Sequence, residues 1–401
     1  MVNNPNKPSL LFITTSSLAS NPRLVKEFEC LKSRYFCYVI CFKHHDWSLP
    51  LSEAIKARNQ EVHFIDIDRT QSVTETIISK FLHKFSIAIN PLFKKRFKVC
   101  AFASNDKTPQ LSLRLKTLRK QHQFSKVIAH NLGAFYPALK LSKFQNSPLQ
   151  LDIEDFYPGE ALYFNKTHEK ANRNYIMQSS FSNAETITYA SKGIEIECKK
   201  MFKTQVESNH ITIINAFENE DFIKPQKIPD HKVSCVWFSQ HIGPNRGLEQ
   251  VFEAAKKYPT LEFHIIGNSN VTYLNTVDVS ANIKFHEIMD QSQLHQFLSQ
   301  MDIGLALESK DADFNRNICL TNKFLAYAQA GLFILATDTF GQRDFLNTLS
   351  YNAGQLIDLN LATTLANFDT AVLSYENQLK RWEYAKAFSW EQEQSKLLQV
   401  I

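Results

Sequence analysis

Residues Val233–Gly267 read VSCVWFSQHIGPNRGLEQVFEAAKKYPTLEFHIIG, and this stretch decides the fold. An apolar, β-prone run (Val233–Phe238) leads into a polar turn with glycine and proline. A helical pattern over Leu248–Lys257 follows, then a second apolar run, Leu261–Ile266. Strand, helix, strand is the unit from which parallel sheets are wound. The same alternation extends outward in both directions. Upstream come strands at Leu10–Thr15, Tyr38–Phe42, Val62–Ile67, Lys126–Ala129, Leu149–Ile153, Thr186–Tyr189 and His210–Ile214. Helical patterns at Pro22–Leu31, Leu51–Asn59, Phe135–Ser142 and Lys192–Met201 lie between them. Downstream come strands Ile283–Phe285, Ile303–Leu307 and Phe333–Ala336, with helices Gln291–Met301 and Asn322–Ala330. Two such series predict an α/β protein of two Rossmann-like, doubly wound parallel-sheet domains. The first spans 1–215. A charged, proline-bearing linker, 216–231, separates it from a second domain over 232–374. A C-terminal helical segment covers 375–401.

Composition agrees with two globular domains. The 401 residues are 44% apolar and 21% charged, which excludes a disordered, collagenous or coiled-coil chain. Glycine is scarce, at 10, and phenylalanine abundant, at 31. No G-x-G-x-x-G and no G-x-x-x-x-G-K-[ST] occurs, so dinucleotide-fingerprint and Walker-type sites are not expected. The seven cysteines are scattered and include no C-x-x-C. Neither a disulfide framework nor a zinc site is indicated, and Cys37 and Cys41 read as core thiols of a chain in a reducing compartment. The first eight residues carry no signal-peptide core, and no run of 18 apolar residues follows. These features predict a cytoplasmic protein. The N-x-T sequons at Asn165 and Asn270 read as chance occurrences.

Between Lys80 and Lys126 lie 12 Lys or Arg and one acid, Asp106, with Phe81, Phe85, Leu92, Phe93 and Phe97 interleaved. A solvated helical face is one reading. A segment lying on an anionic membrane surface is a second. A nucleic-acid surface, with no recognised module behind it, is a third; no nucleic-acid partner is expected.

Ligands of doubly wound sheets bind beyond the carboxyl ends of the strands. Three strand-to-helix junctions there share one feature, a cation placed in the first helical turn. After Leu10–Thr15, Asn21 is a plausible cap, Pro22 fits the first helical position and Arg23 follows. After Val233–Phe238, Asn245 or Gly243–Pro244 opens the helix, with Arg246 in its first turn. After Ile303–Leu307, Thr321 can cap and Lys323 follows, with Gly331 ending that helix. A cation there opposes the helix dipole by roughly 0.3–1 kcal/mol. A bound anion such as a nucleotide diphosphate would compensate all three. His130 closes a strand. Asp152 and Glu154 share one strand face and Asp155 lies on the other. Paired carboxylates suit acid–base work or a metal, but no His/Cys set completes a metal site, and none is expected. Glu308 ends a strand, where it can accept hydrogen bonds from sugar or ribose hydroxyls. No G-x-S-x-G or H-E-x-x-H is present.

At these residues the chain resembles bacterial GT-B glycosyltransferases of the large retaining family numbered four. The segments LLFITTSSLASNPRL, KVIAHNL, ITIINAFENEDF, the quoted 233–267 stretch and MDIGLALE…CLTNKFLAYAQAGLFILATD carry the resemblance over nearly the whole length. It implies a cleft between two domains, with the last helix crossing back to the first. It implies a nucleotide-diphosphate sugar donor of UDP or GDP type, an acceptor that is a cell-surface glycan or lipid-linked, and transfer with retention. It implies donor binding by Gln240, Arg246, Ile288, Glu308, Thr321, Asn322 and Lys323. His130 is implied near the transferred sugar with Glu308 as its catalytic companion, and Ser20, Asn21, Arg23 and Asp155 on the acceptor side. No cofactor is implied beyond the donor. Three departures mark this chain. Ile318 and Ala326 stand where the family has Glu-x7-Glu, Gln240 stands where an arginine is usual, and the first-loop glycine pair is absent. Two rival readings follow: a non-catalytic GT-B subunit that partners another glycosyltransferase, and a nucleotide-sugar epimerase.

Overall fold

β1 (Ser9–Thr14) sits inside the first sheet, and its residues Leu10–Ile13 are at most 1% exposed. Around it lie β2 (Phe36–Lys43), β3 (His63–Asp68), β4 (Lys126–His130), β5 (Leu149–Ile153), β6 (Thr186–Tyr189) and β7 (Asn209–Thr212). Every pair is parallel, in the order β3-β2-β1-β4-β5-β6-β7. The chain winds from β1 towards β3 and then returns to β4, so the topological switch falls between β1 and β4. The second sheet repeats the plan with β8 (Ser234–Ile242), β9 (Glu262–Ser269), β10 (Ile283–His286), β11 (Ile303–Ala306), β12 (Phe333–Ala336) and β13 (Gly354–Leu356). Its order is β10-β9-β8-β11-β12-β13, all parallel, with the switch between β8 and β11. The computed structural model describes residues 7–93, 95–162, 166–204, 208–226, 232–244, 246–309 and 313–401.

The chain divides into two compact units. The first runs to Ala190 and takes in Ile194–Ile213 and Leu397–Ile401; the second comprises Ser191–Gly193 and Ile214–Lys396. In the second unit the period of two is visible in the packing. Cys235, Trp237, Ile303, Leu305, Phe333 and Leu335 enter one apolar core, while Val236, Ala306, Ile334 and Ala336 enter the other. Both faces of the sheet are therefore covered, which is why its strands read as continuous apolar runs.

Helix starts follow the local chemistry. Asn21 caps helix Pro22–Leu31, its side chain accepting from Leu24 N at 3.1 Å, with Pro22 in the first position. Helix Leu248–Lys257 begins after Gly247, whose φ is +77°. A Cβ on Gly247 would lie 2.6 Å from Leu307 Cβ, so only glycine allows this loop to close on the end of β11. Arg246 consequently precedes the cap instead of occupying the first turn, and Asn245 lies outside the described residues.

Other expectations shift. Of the stretch 216–231, Ala216 and Phe222 are buried in the second unit's core, because the apolar residues of AFENEDF outweigh its charges. Residues 227–231 lie outside the described residues. The C-terminal segment is two helices, Tyr375–Ala385 and Trp390–Leu398, separated by a 3-10 turn and the fully buried Ser389. Beyond them, Lys126 Nζ donates to Val400 O at 2.6 Å within the first unit. The 80–126 segment resolves into most of helix Val73–Ile89 and the helices Phe97–Ser104 and Thr108–Leu118.

Gly304 in β11 faces Tyr327, and a Cβ there would meet the Tyr327 ring at 2.3 Å. Tyr327 is itself fully buried and has no room to retreat. Gly304→Ala should therefore lose about 1–3 kcal/mol of second-unit stability by overpacking, measured by urea unfolding. An unchanged midpoint would show that the ring can yield.

Candidate functional site

In the first unit, one register row crosses the sheet at its carboxyl edge: Thr14 opposite His130, His130 opposite Asp152, Asp152 opposite Thr188. All four residues are fully buried. Arg23 reaches this row from the helix after β1. Its Nε and Nη2 donate to the two Asp152 oxygens at 2.8 and 2.6 Å, and Nη1 donates to Ile213 O at 2.6 Å. Thr188 donates to Asp152 Oδ1 at 2.6 Å. The anion that balances Arg23 is thus the chain's own Asp152. Burial works against the Asp152 carboxylate, but the Arg23 charge and hydrogen bonds hold its pKa far below the usual range.

His130 lies between three carboxylates. Nε2 is 3.2 Å from Glu27 Oε2, and Nδ1 is 3.2 Å from Glu154 Oε1 and 3.3 Å from Asp152 Oδ2. Burial alone would lower the imidazole's pKa. The Glu27 charge and the hydrogen bonds to Asp152, Glu154 and Glu27 overturn this and raise it well above 6.5. Each ring nitrogen faces a carboxylate oxygen, a geometry that suits an imidazolium. Glu27, His130 and Asp152 bring one ligand atom each within 4.8 Å, the one such metal-competent group among the described residues. Both Asp152 oxygens already accept from Arg23.

Above this network lies a polar cavity of about 280 Å³ lined by Thr15, Ser16, Lys107, Asn131, Glu160 and Arg173, among others. Asn131 holds it open with φ +60° and ψ 156°, a conformation that ordinary side chains avoid. Its Oδ1 accepts from Thr15 Oγ1 at 2.6 Å, and its Nδ2 donates to Thr14 Oγ1 at 2.7 Å. Lys107 Nζ donates to Thr15 O at 2.8 Å and meets His44 Nε2 at 2.8 Å. Burial lowers its pKa. Neither Asn131 nor Lys107 stood out in the sequence. The signal for Asn131 was an Asn-Leu-Gly turn directly after a strand; Lys107 was one cation among many. Of the acceptor-side residues, Ser20 is exposed and bonded to Ser17, Asn21 is the cap, Arg23 is in the network, and Asp155 follows β5 half-buried.

In the second unit the switch point gathers charge differently. Gly247 seats the Arg246 loop on Leu307–Glu308 at the end of β11. Glu308 is 5% exposed; its N–H donates to Thr337 Oγ1 at 3.0 Å, and its Oε2 is 3.9 Å from Arg316. Lys323, in the first turn of helix Asn322–Gln329, points its ammonium at the Trp237 ring, 5.0 Å from the centroid. Burial lowers the Lys323 pKa; Glu308 opposes this, and Arg246 and Arg316 add to it. Arg316 escaped the sequence reading because it stands on its own five-residue helix, Phe314–Ile318, between motifs. Thr321 holds the cap position without a side-chain cap bond, and its buried hydroxyl has no partner among the described residues. Asn322 is exposed and accepts from Asn215 Nδ2 at 3.0 Å. Gln240 is exposed near the end of β8, and Ile288 is 51% exposed in the loop after β10. A cavity of about 310 Å³ runs along Ile242, Gly243, Pro244, Arg246 and Asn268. Ile318 and Ala326 are core residues, 3% and 0% exposed.

Two parallel-sheet units, each with a polar switch point, define the GT-B fold of glycosyltransferases. Solved structures show the same architecture over the full chain. HepE from Anabaena in complex with UDP superposes with a TM-score of 0.67 at 12% identity, covering 98% of both chains. A glycosyltransferase from Rickettsia africae gives 0.67 at 13% identity, again over 98% of each. The lipopolysaccharide outer core galactosyltransferase WaaB, in its apo form, gives 0.62 at 10% identity over 98% of each. No protein-family model and no curated protein sequence matches the chain.

The raised His130 pKa has a stability consequence. Its contribution is complete below the unfolded-state value near 6.5 and is lost as pH rises towards the folded-state value. The stability difference between wild type and His130→Gln should shrink by up to about 1.4 kcal/mol per pH unit above that value. Urea unfolding from pH 6 to 9 reads it directly. A difference that does not change with pH would mean a neutral ring in the fold.

Proposed function

We propose that the protein is a glycosyltransferase that takes a sugar from a nucleotide-diphosphate sugar, of UDP or GDP type, and passes it to a glycan or lipid-linked acceptor. The observation that carries this reading is the second unit's switch point. Arg246 and Arg316 lie within electrostatic reach of Lys323 there, with Glu308 3.9 Å from Arg316, in a fold whose neighbour HepE was solved with UDP. HepE structures also hold UDP with glucose and UDP-glucose, which supports a UDP-type donor. When the glycosidic bond to the diphosphate breaks, negative charge grows on the leaving oxygens. Preplaced cations in a half-buried site stabilise that charge more than they stabilise the bound donor. Lys323 and Arg246 are assigned to the diphosphate, with Arg316 beside them. Asn322, Thr321 and the first-turn amides complete that end. Glu308 is assigned to sugar or ribose hydroxyls. Ile288 is assigned to the nucleobase, and Gln240 to the donor's phosphate side, as a neutral donor where a cation is usual.

The acceptor is assigned to the first unit's cavity at Thr15, Ser16, Lys107 and Asn131, with Ser20 and Asp155 on the same carboxyl edge. His130 and Arg23 are buried below it. We assign them as positioning residues that fix the edge on which Asn131 and Thr14 sit. Transfer with retention, and a hexose as the group moved, complete the reading. An anionic membrane is the proposed location of work.

A thermal-shift panel of UDP-, GDP-, ADP- and CDP-sugars tests the donor. At 100 times Kd, binding adds about 2.7 kcal/mol of stability. A shift with one nucleotide family, absent in a Lys323→Ala protein of unchanged ligand-free unfolding temperature, is the expected result. No shift with any donor would favour the non-catalytic subunit, and the core placement of Ile318 and Ala326 would be the reason. Conversion of the donor sugar without any acceptor would instead identify an epimerase.

A further inference from the structure

Helix Val73–Ile89 is amphipathic in the reverse sense. The side packed on the first unit is small and polar: Thr76, Ser79 and Ser86 are buried. Thr76 Oγ1 donates to Arg69 O at 3.1 Å, Ser79 Oγ donates to Asp106 O at 2.7 Å, and His83 Nδ1 donates to Phe102 O at 2.6 Å. The opposite side carries Val73, Ile77, Ile78, Phe81 and Phe85, between 43% and 65% exposed. Positions 73, 77, 81 and 85 form one row at helical spacing. The Phe81 and Phe85 rings stack with centroids 6.2 Å apart. The turn that follows adds Leu92, 82% exposed, and Phe93, 48% exposed. A chain that hydrogen-bonds its serines inward and turns its phenylalanines outward leaves an apolar surface that is uncovered among the described residues.

Past Glu75, which pairs with Arg114, the charges along this surface are of one sign. Lys80, Lys84, Lys95, Arg96 and Lys98 are exposed along it or directly after it. No Asp or Glu occurs between Glu75 and Asp106. The remaining described cations of the basic segment are spread elsewhere. Lys107 and Lys126 are turned inward, and Arg114 pairs with Glu75 at 2.8 Å. A second copy of the chain laid on this face would set lysine against lysine with no acid between them. An anionic bilayer satisfies both features at once. Its interfacial zone takes the apolar row, and its headgroups take the lysines. No helix among the described residues is long and apolar enough to cross a membrane, so contact of this kind is with the surface.

We propose that residues 73–93 form a lipid-docking surface, with the Ile77–Phe81–Phe85 row entering the interface of an anionic bilayer and Lys80 and Lys84 on headgroup phosphates. The inference builds on the lipid-linked reading of the acceptor and is independent of the donor chemistry. The measurement reads membrane binding alone, so a failed donor assay and a failed docking assay are distinguishable.

The test is co-sedimentation of the full chain with phosphatidylcholine vesicles, with and without phosphatidylglycerol. Wild type should partition onto the anionic vesicles, less so as salt rises. Phe81→Ser/Phe85→Ser and Lys80→Glu/Lys84→Glu should each lower that partition at least tenfold with the unfolding temperature unchanged, since every altered side chain is exposed. Wild type left in the supernatant of anionic vesicles would overturn the proposal, as would variants that bind like wild type. A wild-type dimer that becomes monomeric in Phe81→Ser/Phe85→Ser, with no vesicle binding, would assign the face to a second copy.

Discussion

All strands in each sheet run the same way, and the rest of the structure depends on that constraint. A parallel strand cannot be reached by a tight turn; the chain must cross a sheet face through a helix each time. Every carboxyl end therefore gathers on one edge, and every strand-to-helix loop opens there. Where the winding reverses, neighbouring loops leave in opposite directions and a hollow remains. In the first unit that hollow lies between β1 and β4, at Thr15, Asn131 and Lys107. In the second it lies between β8 and β11, at Arg246 and Glu308. Neither location owes anything to a conspicuous motif. Both follow from topology.

The two units treat charge at these edges in opposite ways. In the first, Arg23 and His130 pair with Asp152, Glu27 and Glu154, and all of these but the half-buried Glu154 are buried. Such networks are held by mutual dependence: removing one partner leaves a buried charge uncompensated, at about 3–5 kcal/mol. The network locks helix Pro22–Leu31 to β4 and β5 and leaves no surface on His130 for a ligand. In the second unit burial, Arg246 and Arg316 lower the Lys323 pKa, and Glu308 opposes them. Cations gathered this way at a strand end would suit an anion that arrives from outside, which is the basis of the proposed donor assignment.

Fold class was legible because it is written redundantly. Apolar runs of strand length at Leu10–Thr15, Leu149–Ile153 and Ile303–Leu307, and helical periods between them, state the same alternation many times. Helix Leu248–Lys257 and the Asn21–Pro22 start were legible from local chemistry alone. Helix Lys166–Phe181 was not, because its buried residues Asn172 and Ser180 blur the apolar face. The site was legible by position and only partly by role. Arg23 and Lys323 look alike in sequence, each a cation one residue inside a capped helix. What separates them is Asp152, brought opposite Arg23 by the pairing of β4 with β5, a contact across 129 residues that no local pattern encodes. Arg316 joins Lys323 through a short helix whose place in the fold is likewise tertiary.

The same reasoning bears on the carboxylates. Ile318 and Ala326 stand where the resemblance expects glutamates, and the fold has absorbed both. Ile318 is 3% exposed, with its carbonyl accepting from Ser191 Oγ at 2.9 Å; Ala326 is on the core face of helix Asn322–Gln329. An ionised glutamate at Ala326 would have to shed its water without a partner, which is prohibitive in a close-packed apolar site. The carboxylate of this switch point stands instead at the end of β11. Glu308 is fixed from behind by its own N–H on Thr337 and faces Arg316. A carboxylate on a strand end is held by the sheet's hydrogen bonds rather than by helix packing. The hydroxyl-binding role proposed for Glu308 would thus fall on a rigid strand end, against which Gly247 seats the neighbouring loop.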